Sequence, residues 1–247
     1  MSLKKPVTIL TGYLGSGKTT VLNELLQNCR SQKMGIIIND MGSINVDASI
    51  LHSANVMENN TEMIELSNGC ICCTLQDSFM HQIDRLARNE NIDRIIVEAS
   101  GISDPSSIAA GFLNYQEIGL CESVFLDSIV TIADADRIYN EFLSSFKNND
   151  SDIEDEDPDI INLVMDQIEF CSVVVLNKCD LLTENQIDEV CDALHVLQKD
   201  AELVRCAYGK VDPAIFFSNH EFNYDRVLQS SAIQHQLHMG KTSVEEE

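Results

Sequence analysis

Residues 12–19 read Gly-Tyr-Leu-Gly-Ser-Gly-Lys-Thr, and they stand between an apolar run, Val7 to Leu10, and a stretch with helical spacing from Lys18 onward. This order matches the pattern G-x-x-x-x-G-K-[ST], in which a loop joins a strand to a helix. Its glycines let successive backbone N–H groups point at one anion, and the helix start adds the positive end of its dipole. The stretch therefore predicts a phosphate-binding loop and, with it, a P-loop NTPase fold.

The side chains of this loop indicate how a nucleotide would be held. Lys18 is expected to reach the β- and γ-phosphates, and the Thr19 hydroxyl is expected to ligate Mg²⁺. The residues predicted to contact the nucleotide here are Gly12, Gly15, Ser16, Gly17, Lys18, Thr19 and Thr20.

A second motif, Asn177-Lys178-Cys179-Asp180, directly follows an apolar run that ends at Leu176. The Asp180 carboxylate can accept hydrogen bonds from both N1–H and N2–H₂ of guanine, whereas adenine offers no such pair of donors. The motif therefore predicts GTP rather than ATP. The predicted base contacts are Asn177, Lys178 and Asp180, with backbone N–H groups of Cys206 and Ala207, for which an ordinary core strand is the alternative.

A third motif, Glu98-Ala99-Ser100-Gly101, follows the apolar run Arg94 to Val97. A carboxylate at the end of a strand beside the P-loop strand can hold Mg²⁺ through water, and a glycine three residues later can donate its N–H to the γ-phosphate. We therefore predict that Glu98 and Gly101 join Lys18 in catalysis. An ordinary exposed glutamate is the alternative for Glu98.

Short apolar runs alternate with helical patterns along the whole chain, which predicts an α/β fold with a doubly wound, mainly parallel sheet and helices on both faces. Helix starts are expected at Asp104-Pro105, Asp157-Pro158 and Thr183, and a solvated acidic loop at residues 148–159. The predicted strands are Val7 to Leu10, Gly35 to Ile38, Arg94 to Val97, Ser128 to Ala133, Ser172 to Leu176 and Leu203 to Ala207.

The overall charge narrows the choice of partners. The chain has 16 Lys and Arg against 40 Asp and Glu, a formal net charge of −24, which repels nucleic acid and anionic membranes.

The nine cysteines of the chain are an odd number, and no signal-peptide pattern precedes them, so we expect reduced thiols in the cytoplasm.

Three cysteines stand within four residues at Cys70, Cys72 and Cys73, after the turn signal Asn68-Gly69. Cysteines this close cannot all pair with one another in relaxed disulfide geometry. Thiols near a helix start become thiolates, which favour Zn²⁺ and other soft or borderline ions. We therefore predict a metal site with a fourth position left for water, a carboxylate or a partner, and a redox or structural role is the alternative.

With these residues in hand, the chain resembles the CobW-like GTPases, relatives of the UreG and HypB metal-insertion GTPases. The resemblance implies a P-loop GTPase that binds Zn²⁺ or Co²⁺ and passes the metal to a client metalloprotein under nucleotide control. It also suits a homodimer that forms with GTP. It covers about residues 6–217 and rests on residues 12–19, 68–75, 98–101, Asp104-Pro105 and 177–181.

The chain also departs from the family pattern. The family often shows Asn-Glu-aromatic-Gly-Glu after the second strand, where this chain reads Asn39-Asp40-Met41-Gly42-Ser43 and keeps one acid, Asp40. Residues 1–217 are the expected GTPase domain. Residues 218–247 are expected to be a C-terminal segment, truncated relative to the second domain of the family.

We expect GTP and Mg²⁺ to order the loops around Asp40 and around Glu98 to Gly101. The thiol loop lies between them in the sequence and is expected to change its geometry as they order, so nucleotide state and metal affinity are coupled. No arginine in the motifs is placed to reach the γ-phosphate, so hydrolysis should be slow until a partner completes the site. Two alternatives are a P-loop kinase of a small metabolite and a metal-sensing protein that holds nucleotide without hydrolysing it.

Overall fold

Seven strands form one sheet in the computed structural model, which describes residues 4–29, 32–39, 61–66, 76–119, 122–143, 158–218, 222–223 and 225. The strands are β1 Lys5–Thr11, β2 Met34–Asn39, β3 Thr61–Leu66, β4 Arg94–Glu98, β5 Val124–Asp134, β6 Val173–Asn177 and β7 Glu202–Arg205. Their order across the sheet is β3-β2-β4-β1-β5-β6-β7, and each of these pairings is parallel.

Helices cover both faces of the sheet. One face packs against α1 and α6, and the other packs against α2 to α5. The predicted fold class is therefore confirmed, with a wholly parallel sheet in the described part of the chain. The helices are α1 Lys18–Asn28, α2 Gln76–Ala87, α3 Pro105–Glu117, α4 Pro158–Glu169, α5 Glu184–Leu197 and α6 Ala214–Phe217; a helical turn, Ala135–Arg137, also continues into a π-helix, Ile138–Leu143.

The central strands read as continuous apolar runs because both of their faces are buried. In β2, Ile37 packs into one core while Ile36 and Ile38 pack into the other. Successive side chains of a strand point to opposite faces, so a strand covered on both sides needs an apolar residue at every position.

The edge strand β3 is absent from the six predicted strands. Its sequence, Thr-Glu-Met-Ile-Glu-Leu, places polar residues among the apolar ones, and Met63 and Ile64 are only half-buried. A strand at the edge of a sheet is covered less completely than a central strand, so its sequence lacks the continuous apolar run used to predict the others.

Two predicted helix starts have the expected caps. The Asp104 carboxylate accepts hydrogen bonds from the N–H groups of Ser106 (2.8 Å) and Ser107 (3.3 Å), ahead of Pro105 at the first helical position. At the start of α5, the Gln186 side chain accepts from the Thr183 N–H at 2.9 Å. Each cap satisfies backbone donors that have no partner within the helix.

A buried ion pair lies near the start of β4. Arg94 Nη1 is 2.8 Å from Asp127 Oδ2 and 3.1 Å from Thr8 Oγ1, and the guanidinium lies 5.7 Å from the ring centroid of Phe217. Asp127 stands where the register between β1 and β5 shifts, between the pairs Val7↔Leu126 and Thr8↔Ser128. The Asp127 carboxylate is buried at this irregularity, and the guanidinium of Arg94 neutralises its charge.

Some expectations fall outside the described residues. Of the acidic loop predicted at 148–159, only residues 158–159 are described, and they begin α4. Most of the segment 218–247 is likewise outside. None of the described helices combines the length and apolar composition that crossing a membrane requires.

Candidate nucleotide site

The phosphate-binding loop fills the gap between β1 and α1. Its backbone has positive φ at Gly12 (139°), Gly15 (77°) and Gly17 (102°), a region that residues with side chains rarely adopt. Gly17 is also the N-cap residue of α1, so the helix begins at Lys18. The positive end of the helix dipole therefore lies at the loop.

Two of these glycines are packed too tightly for a side chain. A Cβ atom at Gly12 would lie 2.2 Å from the carbonyl oxygen of Ile132, and one at Gly17 would lie 2.4 Å from Asn177 Nδ2. A Cβ atom at Gly15 would meet no heavy atom within 4 Å. Of the three glycines, Gly12 and Gly17 press the loop against the ends of β5 and β6.

We expect Gly17→Ala to destabilise the protein more than Gly15→Ala. Both substitutions force a Cβ into the left-handed region, at a cost of about 1–2 kcal/mol. Gly17→Ala also overlaps the Asn177 amide, which adds about 1–2 kcal/mol. Urea unfolding of the two variants measures the difference, and Gly15→Ala is the matched control. Equal losses of unfolding free energy would contradict the tight contact at Asn177.

Lys18 folds its side chain back across the loop. Its Nζ donates to the carbonyl oxygens of Gly12 (2.7 Å) and Tyr13 (3.2 Å). The buried Ser16 hydroxyl has no hydrogen-bond partner within the described part of the chain. A cation and an unbonded donor on a curled, glycine-rich loop suit an anionic ligand such as a phosphate.

Glu98 ends β4 and pairs in register with Leu10 of β1, so it stands beside the phosphate-binding loop. The Thr19 hydroxyl donates to Glu98 Oε1 at 2.8 Å, and Glu98 is only 5% exposed. Hydroxyl and carboxylate oxygens are ligands that Mg²⁺ accepts, and a buried carboxylate favours a nearby cation. The donor set of Thr19 and Glu98 therefore fits a magnesium ion.

Gly101 lies against the same loop. A Cβ atom on Gly101 would be 2.7 Å from Leu14 Cδ2 and 2.9 Å from the Leu14 backbone nitrogen. The carbonyl oxygen of Gly101 accepts a hydrogen bond from Gln167 Nε2 at 3.1 Å. The structure thus brings Gly101 to the phosphate-binding loop, and it adds Gln167 of α4, which no sequence motif indicates.

Asn177 joins the base motif to the phosphate-binding loop. Its Nδ2 donates to the carbonyl oxygen of Ser16 at 2.9 Å, and its Oδ1 accepts from the N–H of Gly209 at 3.1 Å. The residue is 3% exposed, so both bonds are shielded from water. Segments that are 161 and 32 residues apart in the chain therefore meet at one amide side chain.

Lys178 and Asp180 follow the carboxyl end of β6. Lys178 has left-handed backbone with φ 63°, and its Nζ lies 2.6 Å from Asp134 Oδ2 at the end of β5. Asp180 is exposed in the short 3₁₀ turn Cys179–Leu181. Asp134 was not predicted as a site residue, although its position at the carboxyl end of a central parallel strand is a signal that could have indicated it.

Cys206 and Ala207 stand at the end of the neighbouring strand. The Cys206 N–H donates to the Leu176 carbonyl at 2.8 Å, so this N–H is already used within the sheet. Burial raises the pKa of the Cys206 thiol to about 12. Nearby, a Cβ atom on Gly209 would lie 2.9 Å from Thr20 Cγ2, so Thr20 of α1 packs beside the turn that follows Ala207.

One arginine approaches the phosphate-binding loop. The Arg137 guanidinium carbon lies 4.4 Å from the ring centroid of Tyr13, which is a cation–π contact. The backbone N–H of Arg137 donates to Asp134 Oδ1 at 3.3 Å. The pair borders an apolar cleft beside the loop. Arg137 lies in no recognised motif, so only the folded chain reveals its closeness to Tyr13.

The predicted thiol site lies outside the described residues, as do Cys70, Cys72, Cys73 and Asp40. Within the described ranges, no three His, Cys, Asp or Glu side chains are grouped so that they could hold a metal ion. Five described cysteines are free thiols: Cys29, Cys171, Cys179, Cys191 and Cys206.

The family model for the CobW/HypB/UreG nucleotide-binding domain matches residues 6–205. The chain belongs to this family. The match runs from β1 with its phosphate-binding loop to the end of β7, and Cys206, Ala207 and Gly209 follow directly after it.

The relatives that are more than 30% identical to this member of the CobW/HypB/UreG family include a metalloprotein activator and a zinc chaperone. The zinc-regulated GTPase metalloprotein activator 1 of Dictyostelium discoideum is 34% identical over 82% of this chain and 46% of its own length. The zinc chaperone CobW of a Sinorhizobium species is 33% identical over 86% of this chain and 62% of its own length. The chain therefore spans about half to three fifths of these relatives.

A solved structure has the same fold. The Zn(II)-bound YjiA GTPase from E. coli superposes with a TM-score of 0.60, at 21% identity, over 89% of this chain and 62% of that one. At this level of identity the likeness supports the P-loop architecture alone.

Proposed function

We propose that this chain binds and hydrolyses GTP and uses the nucleotide to control a zinc or cobalt ion held by Cys70, Cys72 and Cys73. The ion is cargo that passes to a client metalloprotein. The observation that carries the nucleotide part is the Asn177 side chain, which bonds the predicted guanine motif to the phosphate-binding loop at Ser16. Membership of the CobW/HypB/UreG family supports the metal part, as does the zinc after which the two relatives are named.

Each residue of the site has a role in this proposal. The loop N–H groups and Lys18 bind the β- and γ-phosphates, and Asp180 reads the guanine edge. Since the Cys206 N–H is bonded to Leu176, Ala207 is the better candidate for a backbone donor to the base. Thr19 and Glu98 would hold Mg²⁺, which supplies positive charge to the phosphates.

Gly101 is the residue that would sense the γ-phosphate. Its backbone lies against Leu14 of the phosphate-binding loop, and its carbonyl oxygen is bonded to Gln167 of α4. A movement of Gly101 toward a γ-phosphate would therefore pull on α4 as well. Asp40 directly follows β2 in the sequence and is proposed as a further metal-binding carboxylate.

The acidic composition supports a locally built anion site. A net charge of −24 repels a nucleotide from the surface as a whole, so the loop N–H groups, Lys18 and the helix dipole must supply the attraction.

We infer that residues 1–217 form the GTPase domain and that the protein acts in the cytoplasm. Hydrolysis is expected to be slow until a client or a second subunit completes the site.

The test of coupling is the affinity for Zn²⁺ with and without nucleotide. We expect a non-hydrolysable GTP analogue to change the Zn²⁺ dissociation constant relative to GDP by about five- to 150-fold, the usual range for two coupled sites. Competition with a coloured zinc chelator measures it. Equal dissociation constants in both nucleotide states would remove the coupling.

A cysteine variant provides the matched control for this measurement. Replacing Cys70, Cys72 and Cys73 together by Ser should abolish tight zinc binding, whereas Cys29→Ala, at a buried thiol at the end of α1, should preserve it. Phosphate release from GTP, followed with and without Zn²⁺, then separates a GTPase from a metal sensor that does not hydrolyse nucleotide.

A further inference from the structure

Gln167 of α4 is an almost fully buried amide side chain. The residue is 1% exposed, whereas glutamine is mostly found at protein surfaces. Burying an amide costs free energy unless its polar atoms find partners inside the protein. The partners of Gln167 therefore indicate why a polar residue stands at this position.

The amide nitrogen of Gln167 donates to two carbonyl oxygens of one turn. Nε2 lies 3.1 Å from the oxygen of Gly101 and 3.2 Å from the oxygen of Ser103. The turn itself is closed by a hydrogen bond from the Ser103 N–H to the Ser100 carbonyl at 2.9 Å. An amide nitrogen carries two donors, so one side chain can satisfy both carbonyls and hold the turn at two points.

The main chain of Gln167 is anchored to the sheet. Thr131 of β5 is 2% exposed, and its hydroxyl donates to the Gln167 carbonyl oxygen at 2.5 Å. The next residue of β5, Ile132, lies against the phosphate-binding loop, where its carbonyl oxygen would be 2.2 Å from a Cβ atom at Gly12. β5 therefore contacts both α4 and the loop, and Gln167 connects the turn to them.

We propose that Gln167 is a positioning residue that holds Gly101 ready for the γ-phosphate and so strengthens the binding of GTP relative to GDP. The inference rests on the proposed function, in which the Gly101 N–H senses the γ-phosphate. Bonding the carbonyl of Gly101 restricts the backbone rotations of this glycine, so less ordering is needed when the nucleotide arrives. GDP has no γ-phosphate, and its binding gains nothing from an ordered turn.

A second buried glutamine distinguishes positioning from a purely structural role. Gln198 is 5% exposed, and its Nε2 donates to the carbonyl oxygens of Glu169 and Cys171 at the end of α4. Cys171 precedes β6, whereas the base motif follows β6, so Gln198 acts near the opposite edge of the parallel sheet. Loss of either amide removes two buried bonds to carbonyls, but only Gln167 bonds the turn that contains Gly101.

The test compares Gln167→Met with Gln198→Met. Methionine keeps the length of the side chain and removes its donors. Calorimetry with Mg²⁺ gives the dissociation constants for a non-hydrolysable GTP analogue and for GDP. We expect Gln167→Met to weaken the analogue roughly tenfold, the lower end of what one hydrogen bond to a charged group contributes, and to leave GDP unchanged. Gln198→Met should leave both dissociation constants unchanged, and urea unfolding shows that each variant is folded.

A milder variant reaches the same contact through the sheet. Thr131→Val removes the hydroxyl that anchors the Gln167 carbonyl, so it should weaken the GTP analogue relative to GDP by a smaller factor. In a chain that already carries Gln167→Met, adding Thr131→Val should not change this ratio further, since the two changes act through one contact. If Gln167→Met does not fold, Thr131→Val decides the question, and an unchanged ratio in that variant would overturn the inference.

Two further results would overturn the inference and leave the proposed function in place. One is a Gln167→Met variant in which both nucleotides, or neither, are weakened. The other is a Gln198→Met variant whose ratio changes as much as that of Gln167→Met. A wild-type chain that binds the analogue and GDP equally and releases no phosphate from GTP would overturn both the inference and the proposed function.

Discussion

Asp180→Asn is expected to lower the affinity for GTP by roughly 10²- to 10⁴-fold, because two hydrogen bonds from guanine to a charged acceptor are lost or inverted. The amide that replaces the carboxylate presents an N–H₂ group to the guanine N2–H₂ group, so two donors face each other. Xanthine has a carbonyl at C2, which accepts from this amide. The variant should therefore prefer xanthosine triphosphate.

Competitive displacement of a fluorescent nucleotide by GTP, ATP and xanthosine triphosphate measures this change. Asp192→Asn is the matched control, since Asp192 is also exposed and lies on α5, and its substitution removes one negative charge away from the base motif. An unaltered preference for GTP in Asp180→Asn would contradict the role of Asp180. The kinase alternative would then gain support.

Arg94→Met is expected to lower the free energy of unfolding by about 3–5 kcal/mol, because it leaves the Asp127 carboxylate buried without its counter-charge. The two side chains are 12% and 1% exposed, and Arg94 also donates to Thr8 and to the carbonyl oxygen of Phe217. Methionine keeps most of the volume of the arginine stem, so the loss reports the charge rather than a cavity.

Urea unfolding measures this loss, with two comparisons. Arg88→Met removes a surface arginine that is 77% exposed and pairs with Asp84 one helical turn away, so it should change stability by less than about 0.5 kcal/mol. Adding Asp127→Asn to Arg94→Met removes the isolated buried charge and should recover part of the loss. Similar stability for Arg94→Met and Arg88→Met would contradict the buried ion pair.

Much of the sheet could be predicted because its central strands are buried on both sides. Ile36, Ile37 and Ile38 must all be apolar since they alternate between two cores, and such a run is visible in the sequence. β3 lacks this signal at the edge of the sheet. β5 begins at Val124 instead of the predicted Ser128, because Asp127 interrupts the apolar run. The guanidinium of Arg94, 33 residues away in the chain, pairs with the Asp127 carboxylate inside the fold.

In the candidate site, too, some features could be predicted from the sequence and others could not. The glycine spacing of residues 12–19 predicts a curled loop, because positive φ is a local property of glycine, and the structure has it at Gly12, Gly15 and Gly17. The contacts of Asn177 with Ser16 and Gly209, of Lys178 with Asp134 and of Arg137 with Tyr13 had no local signal. They form only when parallel strands bring their carboxyl ends to one edge.

The sequence by itself determined the parallel α/β class and the curled glycine loop of residues 12–19, because these depend on burial of continuous apolar runs and on short-range backbone geometry. It also supplied the motif that is proposed to read guanine. The tertiary structure alone decided which side chains meet: Thr19 with Glu98, Asn177 with the loop, and Lys178 with Asp134. The order of the strands sets those meetings, and strand order is a property of the whole sheet that no short stretch of sequence specifies.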